Sequence, residues 1–376
     1  MIEQLLSLFK ALLAQTGLQH FGWGNLLMIA VGITMIFLAV IKKYEPFLLI
    51  GIGFACVVVN VPGSDLVLPG GLFFIAQQGV AALIVPPLIF LGVGAMTDFG
   101  PMIANPKLVL LGAGAHLGIF VALILAKFIG FSLSEAGAIG IIGGADGPMA
   151  IFVTMKLAPH LLPQVSVAAY SYMALMPLIQ PPVMRLLTTS KERKMSMAQL
   201  RPVSRLEKIL FPLIIAGVVN LFFPPVAPLI TMLMLGNILR EVLIVGRLAE
   251  TAGGTLLNII TLVLTAAIGS TMVADSFLTL KTLEIVALGL VAFVFGTGSG
   301  VLTAKLMNLF LKDKINPLIG SAGIASVPIA ARVSHNVAHK ANPKNYLIYH
   351  AMGPNLAGVF GTAISGGILL ALLGTK

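Results

Sequence analysis

Apolar segments long enough to cross a bilayer, or nearly so, follow one another along almost the whole chain, and short polar turns separate them. They cover roughly residues 23–41, 46–61, 73–96, 107–129, 135–157, 163–185, 209–222, 225–239, 252–274, 282–311, 315–332 and 345–373. About 20 helical residues span the hydrocarbon core. Lipid offers no partner to an open backbone N–H or C=O, so helices are the expected spanning element. Several segments are short or broken, so the count is lower than the number of segments. The pattern predicts an all-α polytopic membrane protein with about ten transmembrane helices. Charged residues make up only 10% of the chain, and the longest polar stretch, 186–208, is too short to fold alone.

The formal net charge of +10 is no signal for nucleic acid. Lys and Arg gather in short loops, as cytoplasmic loops of membrane proteins require. The clearest case runs from Arg185 to Lys208 and includes Lys191, Arg193, Lys194, Arg201 and Arg205, which puts this loop in the cytoplasm. Residues 1–18 read as an interfacial amphipathic helix, not a cleaved signal, because Glu3 comes early and no small-residue cleavage site follows. Cys56 is alone in an apolar segment, which excludes disulfides and cysteine metal clusters within one chain. The six His residues show no ligand spacing and assign no transition metal.

One sparse signature occurs twice. Gly140, Gly143, Ala145, Pro148 and Ala150 are matched in register by Gly320, Gly323, Ala325, Pro328 and Ala330, and Asp146 faces Ser326 in this register. Gly and Pro inside an apolar segment break a helix and free backbone carbonyls. Broken helices in corresponding positions of two halves point to a substrate or ion site near the bilayer midplane. The expected organisation is residues 1–44 as N-terminal helix and first span, 45–185 as a first repeat with a broken helix at 135–157, and 186–208 as a basic cytoplasmic loop. Residues 209–376 then form a second repeat with a broken helix at 315–332. The broken or re-entrant helices are expected to meet at the midplane. Simple alternation does not close: if Lys42, Lys43 and the 186–208 loop are all cytoplasmic, an even number of crossings separates them, and the segments between are odd in number. Either 135–157 re-enters without crossing or 73–96, with Pro86 and Pro87, is two pieces.

Asp146 is the main chemical candidate. Hard cations take oxygen ligands, which a carboxylate and freed carbonyls supply, and an intramembrane carboxylate marks an ion path. The plainer alternative is a helix cap. Asn355, in Gly353-Pro354-Asn355, offers an amide oxygen to an ion or a hydrogen bond to a neighbouring helix. Asn316 stands before Pro317, where an ordinary turn is the alternative. Arg332 closes the second broken segment, able to hold a carboxylate or a ureido carbonyl, or simply to snorkel. Tyr170 and Tyr172 are proton-relay candidates or packing residues. Asp98 reads as a membrane-face residue, and the Gly296–Gly300 run lacks the features of a phosphate loop and reads as close helix packing.

These residues carry a family resemblance. GAMTDFGPMIANPK (94–107), IGIIGGADGP (139–148), AAYSYMALMPLIQPPVMR (168–185), NPLIGSAG (316–323), VPIAARVS (327–334) and HAMGPNLAGV (350–359) are similar to the β subunit of biotin-dependent, sodium-pumping decarboxylases. That family includes the oxaloacetate, methylmalonyl-CoA, glutaconyl-CoA and malonate decarboxylases. The resemblance implies a membrane subunit that decarboxylates carboxybiotin, consumes a proton and exports sodium ions across the cell inner membrane. It implies as partners a carboxyltransferase α subunit, a biotin carrier protein or domain, a small membrane γ or δ subunit, the lipid bilayer and further copies of the chain. By the resemblance, Asp146 matches the essential aspartate and Tyr172 a tyrosine tied to proton delivery. Asn316, Gly320, Arg332 and Asn355 match positions implicated in sodium passage or biotin handling. The family serine is displaced by one position to Ser326, after Ala325. The expected roles are thus Asp146, Tyr172 and Arg332 in catalysis, Arg332 and Asn316 toward biotin, and Asp146, Asn355, Asn316, Ser326 and Gly320 toward sodium. Rival readings are a sodium-coupled carrier of a small organic anion and a non-catalytic membrane anchor.

Overall fold

A computed structural model describes residues 16–374, and every regular element among them is helical. Most of the segment expected as an interfacial helix, 1–18, lies outside the described residues. Among the described residues six helices are long and apolar enough to cross a membrane, and a seventh results if Leu72–Ala81 and Val85–Met96 count as one broken span. The number is smaller than ten partly because Pro46–Val59, Leu133–Gly144 and Gly147–Leu157 fold as apolar helices shorter than a full crossing.

The chain forms two compact units. The first comprises the N-terminal part to Ala82 with Thr261–Leu283. It holds α1 (Trp23–Ile41), α2 (Pro46–Val59) and α3 (Leu72–Ala81). Asn60, buried at the end of α2, ties this unit together: its Nδ2 donates to the Met272 carbonyl at 2.7 Å, and its Oδ1 accepts from Ala274 N at 2.9 Å.

The second unit takes Leu83–Ile260 and the chain from Glu284 onward. Its elements are α4 (Val85–Met96), α5 (Pro106–Ile129), α6 (Leu133–Gly144), α7 (Gly147–Leu157), α8 (Pro159–Leu187), α9 (Arg205–Phe222) and α10 (Ala227–Glu241). They continue with α11 (Leu243–Ser270) and α12 (Leu280–Phe310), both of which start or end in the other unit, then α13 (Ile329–Ala341) and α14 (Ile348–Leu373). A 3-10 helix, Pro317–Gly323, precedes α13. Its surface carries large apolar side chains such as Phe128, Leu178, Leu221 and Leu306, as a lipid-facing exterior requires.

Both sequence signatures fold as hairpins that double back. In the first, α6 ends at Gly144, the chain turns at Ala145 and Asp146, and α7 begins at Gly147. Ala145 sits in the left-handed region with φ +50°, which costs an L-residue about 1–2 kcal/mol. The open end is closed by Ser132 and Glu135, which form a reciprocal cap on α6, and by Glu135 Oε1 at 3.0 Å from His160 Nε2 just beyond α7. In the second hairpin a tight run of bends and turns, 324–328, joins the 3-10 helix to α13. Asn316 caps the 3-10 helix, its Oδ1 accepting from Leu318 N at 3.0 Å, while its Nδ2 donates to the Met195 carbonyl at 2.8 Å. Asn345, beyond α13, donates to the same Met195 carbonyl at 2.9 Å. Both ends of this hairpin therefore hold the 186–208 loop.

α14 runs from the open end of one hairpin toward the open end of the other. It starts just after Asn345, and its Leu373 carbonyl accepts from Ser134 Oγ at 3.4 Å. The hairpins point at each other from opposite ends of this helix, and their tips touch: Ala325 N donates to the Gly144 carbonyl at 2.9 Å.

Candidate functional site

The tip contact joins the two signatures at the positions where Asp146 and Ser326 lie. Asp146 is buried and caps α7, Oδ1 accepting from Met149 N at 3.0 Å. The cap reading is therefore correct for one oxygen. Oδ2 has no hydrogen-bond partner among the described residues.

Asn355 sits on α14 beside the second tip. Its Nδ2 donates to the Ala322 carbonyl at 2.9 Å and the Ile324 carbonyl at 2.7 Å. Carbonyls only accept, so the amide orientation is fixed, and Oδ1 is left buried with no donor among the described residues. An unpaired buried acceptor costs about 1–3 kcal/mol unless something fills it. Two turns further along the same face of α14 stands Thr362. Its Oγ1 lies 2.6 Å from Nε2 of the buried His116, whose Nδ1 is 2.6 Å from the Gly112 carbonyl. A Cβ added at Gly144 would fall 2.8 Å from Thr362 Oγ1, so this side chain abuts the first tip. One face of α14 thus carries both tips, Asn355 against the second and Thr362 against the first.

Ser326 is buried at the same crossing, its Oγ 3.1 Å from Met176 Sδ on α8. Tyr170, also on α8, presses its ring on the Asp146 turn: a Cβ at Gly147 would lie 2.3 Å from Tyr170 Cζ. The Tyr170 hydroxyl is buried and has no hydrogen-bond partner among the described residues.

The structure therefore brings Asp146, Asn355 and Ser326 to one place and adds Tyr170. It puts the other candidates elsewhere. Tyr172 donates its hydroxyl to the Val286 carbonyl, and its ring stacks on Phe293 at 6.4 Å. Asn316 lies at the loop-side mouth of the second hairpin with both ends of its amide engaged. Gly320 serves the crossing of its arm with α12, since a Cβ there would fall 2.0 Å from the Gly300 carbonyl oxygen. Arg332, in the first turn of α13, is exposed and makes no ion pair or side-chain hydrogen bond among the described residues. Asp98 pairs with Lys208 at 2.8 Å. Burial works against its charge, but Lys208 and the Gly100 N–H hold the carboxyl below its ordinary range.

Motif reading does not single out two further buried polar residues. Gln180 on α8 is buried, donates to the Ser321 carbonyl at 3.1 Å and leaves Oε1 unpaired. A lone amide in an apolar span is the signal that marks it. Thr362 carries no such signal, because a Thr in an apolar helix commonly bonds its own backbone, as Thr362 also does to Gly358 at 3.0 Å.

Comparison with known proteins adds to this geometry. Residues 24–373 match the family described as Na+-transporting oxaloacetate decarboxylase beta subunit. The chain is 52% identical over 366 residues to the glutaconyl-CoA decarboxylase subunit beta of Acidaminococcus fermentans, covering 97% of this chain and 98% of that one. It is 50% identical over 399 residues to the methylmalonyl-CoA decarboxylase subunit beta of Propionigenium modestum, covering 100% of both. The oxaloacetate decarboxylase beta chain of Klebsiella pneumoniae is 47% identical over 423 aligned positions, which cover 96% of this chain and 98% of that one.

Proposed function

The chain belongs to the family of Na+-transporting oxaloacetate decarboxylase β subunits, and from that premise we propose that carboxybiotin loses carbon dioxide on it while sodium leaves the cell. The relatives are decarboxylase subunits, which supports this reading over a carrier of free organic anions. The observation that carries the site is the tip crossing, where the Asp146 carboxylate and the unpaired Asn355 oxygen flank the Gly144–Ala325 hydrogen bond. Sodium binds there to Asp146, Asn355 and Ser326, with freed backbone carbonyls completing the shell. A proton competes for the same carboxylate.

In the chemical step the N–CO2 bond of carboxybiotin breaks, carbon dioxide departs and the ureido nitrogen takes up one proton. The exposed guanidinium of Arg332, next to the tip, holds the carboxylate or the ureido oxygen of the incoming ligand. Tyr170, pressed on the Asp146 turn, and Tyr172, two positions further along α8, are the phenols that pass the proton. Asn316 acts at the loop-side mouth, where biotin arrives, and Gly320 lets its arm cross α12 closely on the path of sodium. A carboxyltransferase α subunit and a biotin carrier supply the ligand, and a small γ or δ subunit and further copies of the chain complete the assembly in the inner membrane.

The hairpins fit a topology of about ten crossings in two repeats, with the first hairpin re-entering from outside and the second from the cytoplasm, tips at the midplane. The test is avidin-sensitive 22Na+ uptake into inverted vesicles containing the assembled complex. Asp146→Asn is expected to abolish uptake and sodium stimulation of decarboxylation. Uptake at the wild-type rate would remove Asp146 from the scheme.

A further inference from the structure

We propose that the chain holds a second, charge-neutral site for a monovalent cation around Gln180, on the 186–208 loop side of the tips. This rests on the sodium-export reading and adds a stage to its path.

Gln180 is fully buried on α8, with Pro177, Pro181 and Pro182 in the same helix. Pro181 and Pro182 have no N–H to give, so the carbonyls of Pro177 and Leu178 lose their helical partners. The amide Nε2 donates to the Ser321 carbonyl at 3.1 Å and lies 3.4 Å from Thr297 Oγ1. Because the Ser321 carbonyl can only accept, nitrogen must face it, and Oε1 is turned away with no donor among the described residues. Thr297 cannot supply one, since its hydroxyl is committed to the Phe293 carbonyl at 2.9 Å.

The surroundings repeat the imbalance. Ser321 Oγ donates to the Leu318 carbonyl at 2.7 Å and lies 2.8 Å from Ser334 Oγ, which itself is 3.0 Å from the Ala330 carbonyl. Gln180, Thr297, Ser321 and Ser334 are all fully buried. Their polar hydrogens are spent on backbone carbonyls or on one another, none of them on Gln180 Oε1, while lone pairs remain. A buried cluster rich in acceptors and short of donors is satisfied by a cation. With no carboxylate among these four residues, a divalent ion would stay uncompensated, so the fit is to a singly charged one.

Position gives the site its use. Ser321 and Ser334 link the two arms of the second hairpin between the tip and the ends that hold the loop through Asn316 and Asn345. An ion travelling from the loop side toward Asp146 passes this level first. A neutral site there desolvates the ion in part and delivers it to the carboxylate without binding it so tightly that it stays.

The test is equilibrium 22Na+ binding by the full chain, with the subunits that copurify, in lipid nanodiscs with choline as the balancing cation. Asp146→Asn is expected to retain a saturable fraction of sodium binding that does not change between about pH 6 and pH 8, where a neutral amide does not titrate. Adding Gln180→Leu is expected to weaken that fraction at least about 10-fold, or about 1.4 kcal/mol. Adding Gln180→Glu to Asp146→Asn keeps the shape and is expected to tighten binding and make it proton-sensitive, which decides the matter if the Leu variant fails to fold. If Asp146→Asn binds no sodium and Gln180→Leu or Gln180→Glu titrates like wild type, the Gln180 site is overturned while the Asp146 site stands. A water molecule filling the cluster gives that same result. If Asp146→Asn binds as wild type does, the Asp146 reading fails instead.

Discussion

Tyr170 and Tyr172 lie two positions apart on α8 and face different surroundings. The Tyr170 hydroxyl is buried without a partner against the Asp146 turn, whereas Tyr172 donates to the Val286 carbonyl. Removing the first hydroxyl deletes an unsatisfied group, and removing the second breaks a hydrogen bond. Tyr170→Phe is therefore expected to keep or slightly raise thermal stability while shifting the pH and sodium dependence of decarboxylation. Tyr172→Phe is expected to lower stability by about 1 kcal/mol. Unfolding scans and pH profiles on the two variants separate these effects, and equal pH profiles for Tyr170→Phe and wild type would take its phenol out of the proton path. The place of Asp146 at a helix break was legible from the Gly and Pro around it, and the structure puts it at the first tip. The contrast between two tyrosines was not, since helical spacing tells which face each occupies but not what lies opposite.

At the level of elements, the breaks were legible and their partnership was not. Gly, Pro and Asp mark where a helix stops through their own backbone chemistry, so 135–157 and 315–332 read as broken from local composition. That Gly144 meets Ala325, and that Asn316 and Asn345 share one carbonyl of the loop, depends on contacts distant in sequence. The Gly296–Gly300 run did read correctly as packing: a Cβ at Gly300 would lie 2.1 Å from the Gly320 carbonyl oxygen. Gly300→Ala is thus expected to cost about 1–3 kcal/mol by overpacking, read as a lowered unfolding midpoint of the purified chain. A second element has a pH signature. Ser204 and Glu207 form a reciprocal cap on α9, and Glu207 also pairs with Arg201 at 2.7 Å. The Arg201 hydrogen bond, with those from Ser204, pulls the Glu207 carboxyl down to about 2. A carboxyl lowered on folding adds stability that is whole above its unfolded value near 4.5 and is lost as pH falls toward 2. Hydrogen exchange at the start of α9 is expected to accelerate as pH drops through that window once the intrinsic pH dependence is divided out, and Glu207→Gln is expected to flatten the change.

For the whole molecule, the question is which hairpin opens to which side. Charge placed the 186–208 loop in the cytoplasm, but alternation from Lys42 and Lys43 left an odd crossing. The doubled-back first hairpin, with Glu135 at 3.0 Å from His160, removes it if 135–157 enters and leaves by one face. With the short α2 taken as a crossing, α2, the α3–α4 pair, α5 and α8 give four between the two basic stretches, and Asp98, paired with Lys208, falls on the loop side. This was not readable from hydropathy, because a re-entrant pair and a single crossing have similar apolar length. The topology makes a prediction on intact cells and inverted vesicles. In a chain with Cys56, which is buried, replaced by Ala, single cysteines at Ser134 and His160 are expected to react with a membrane-impermeant maleimide only from outside. Cysteines at Lys191 and Lys344 are expected to react only from the cytoplasmic side. Ser134 and Lys191 labelling from one side would mean that α8, which carries Tyr170 and Gln180, does not cross, and the two hairpins could not then approach one another from opposite faces of the membrane.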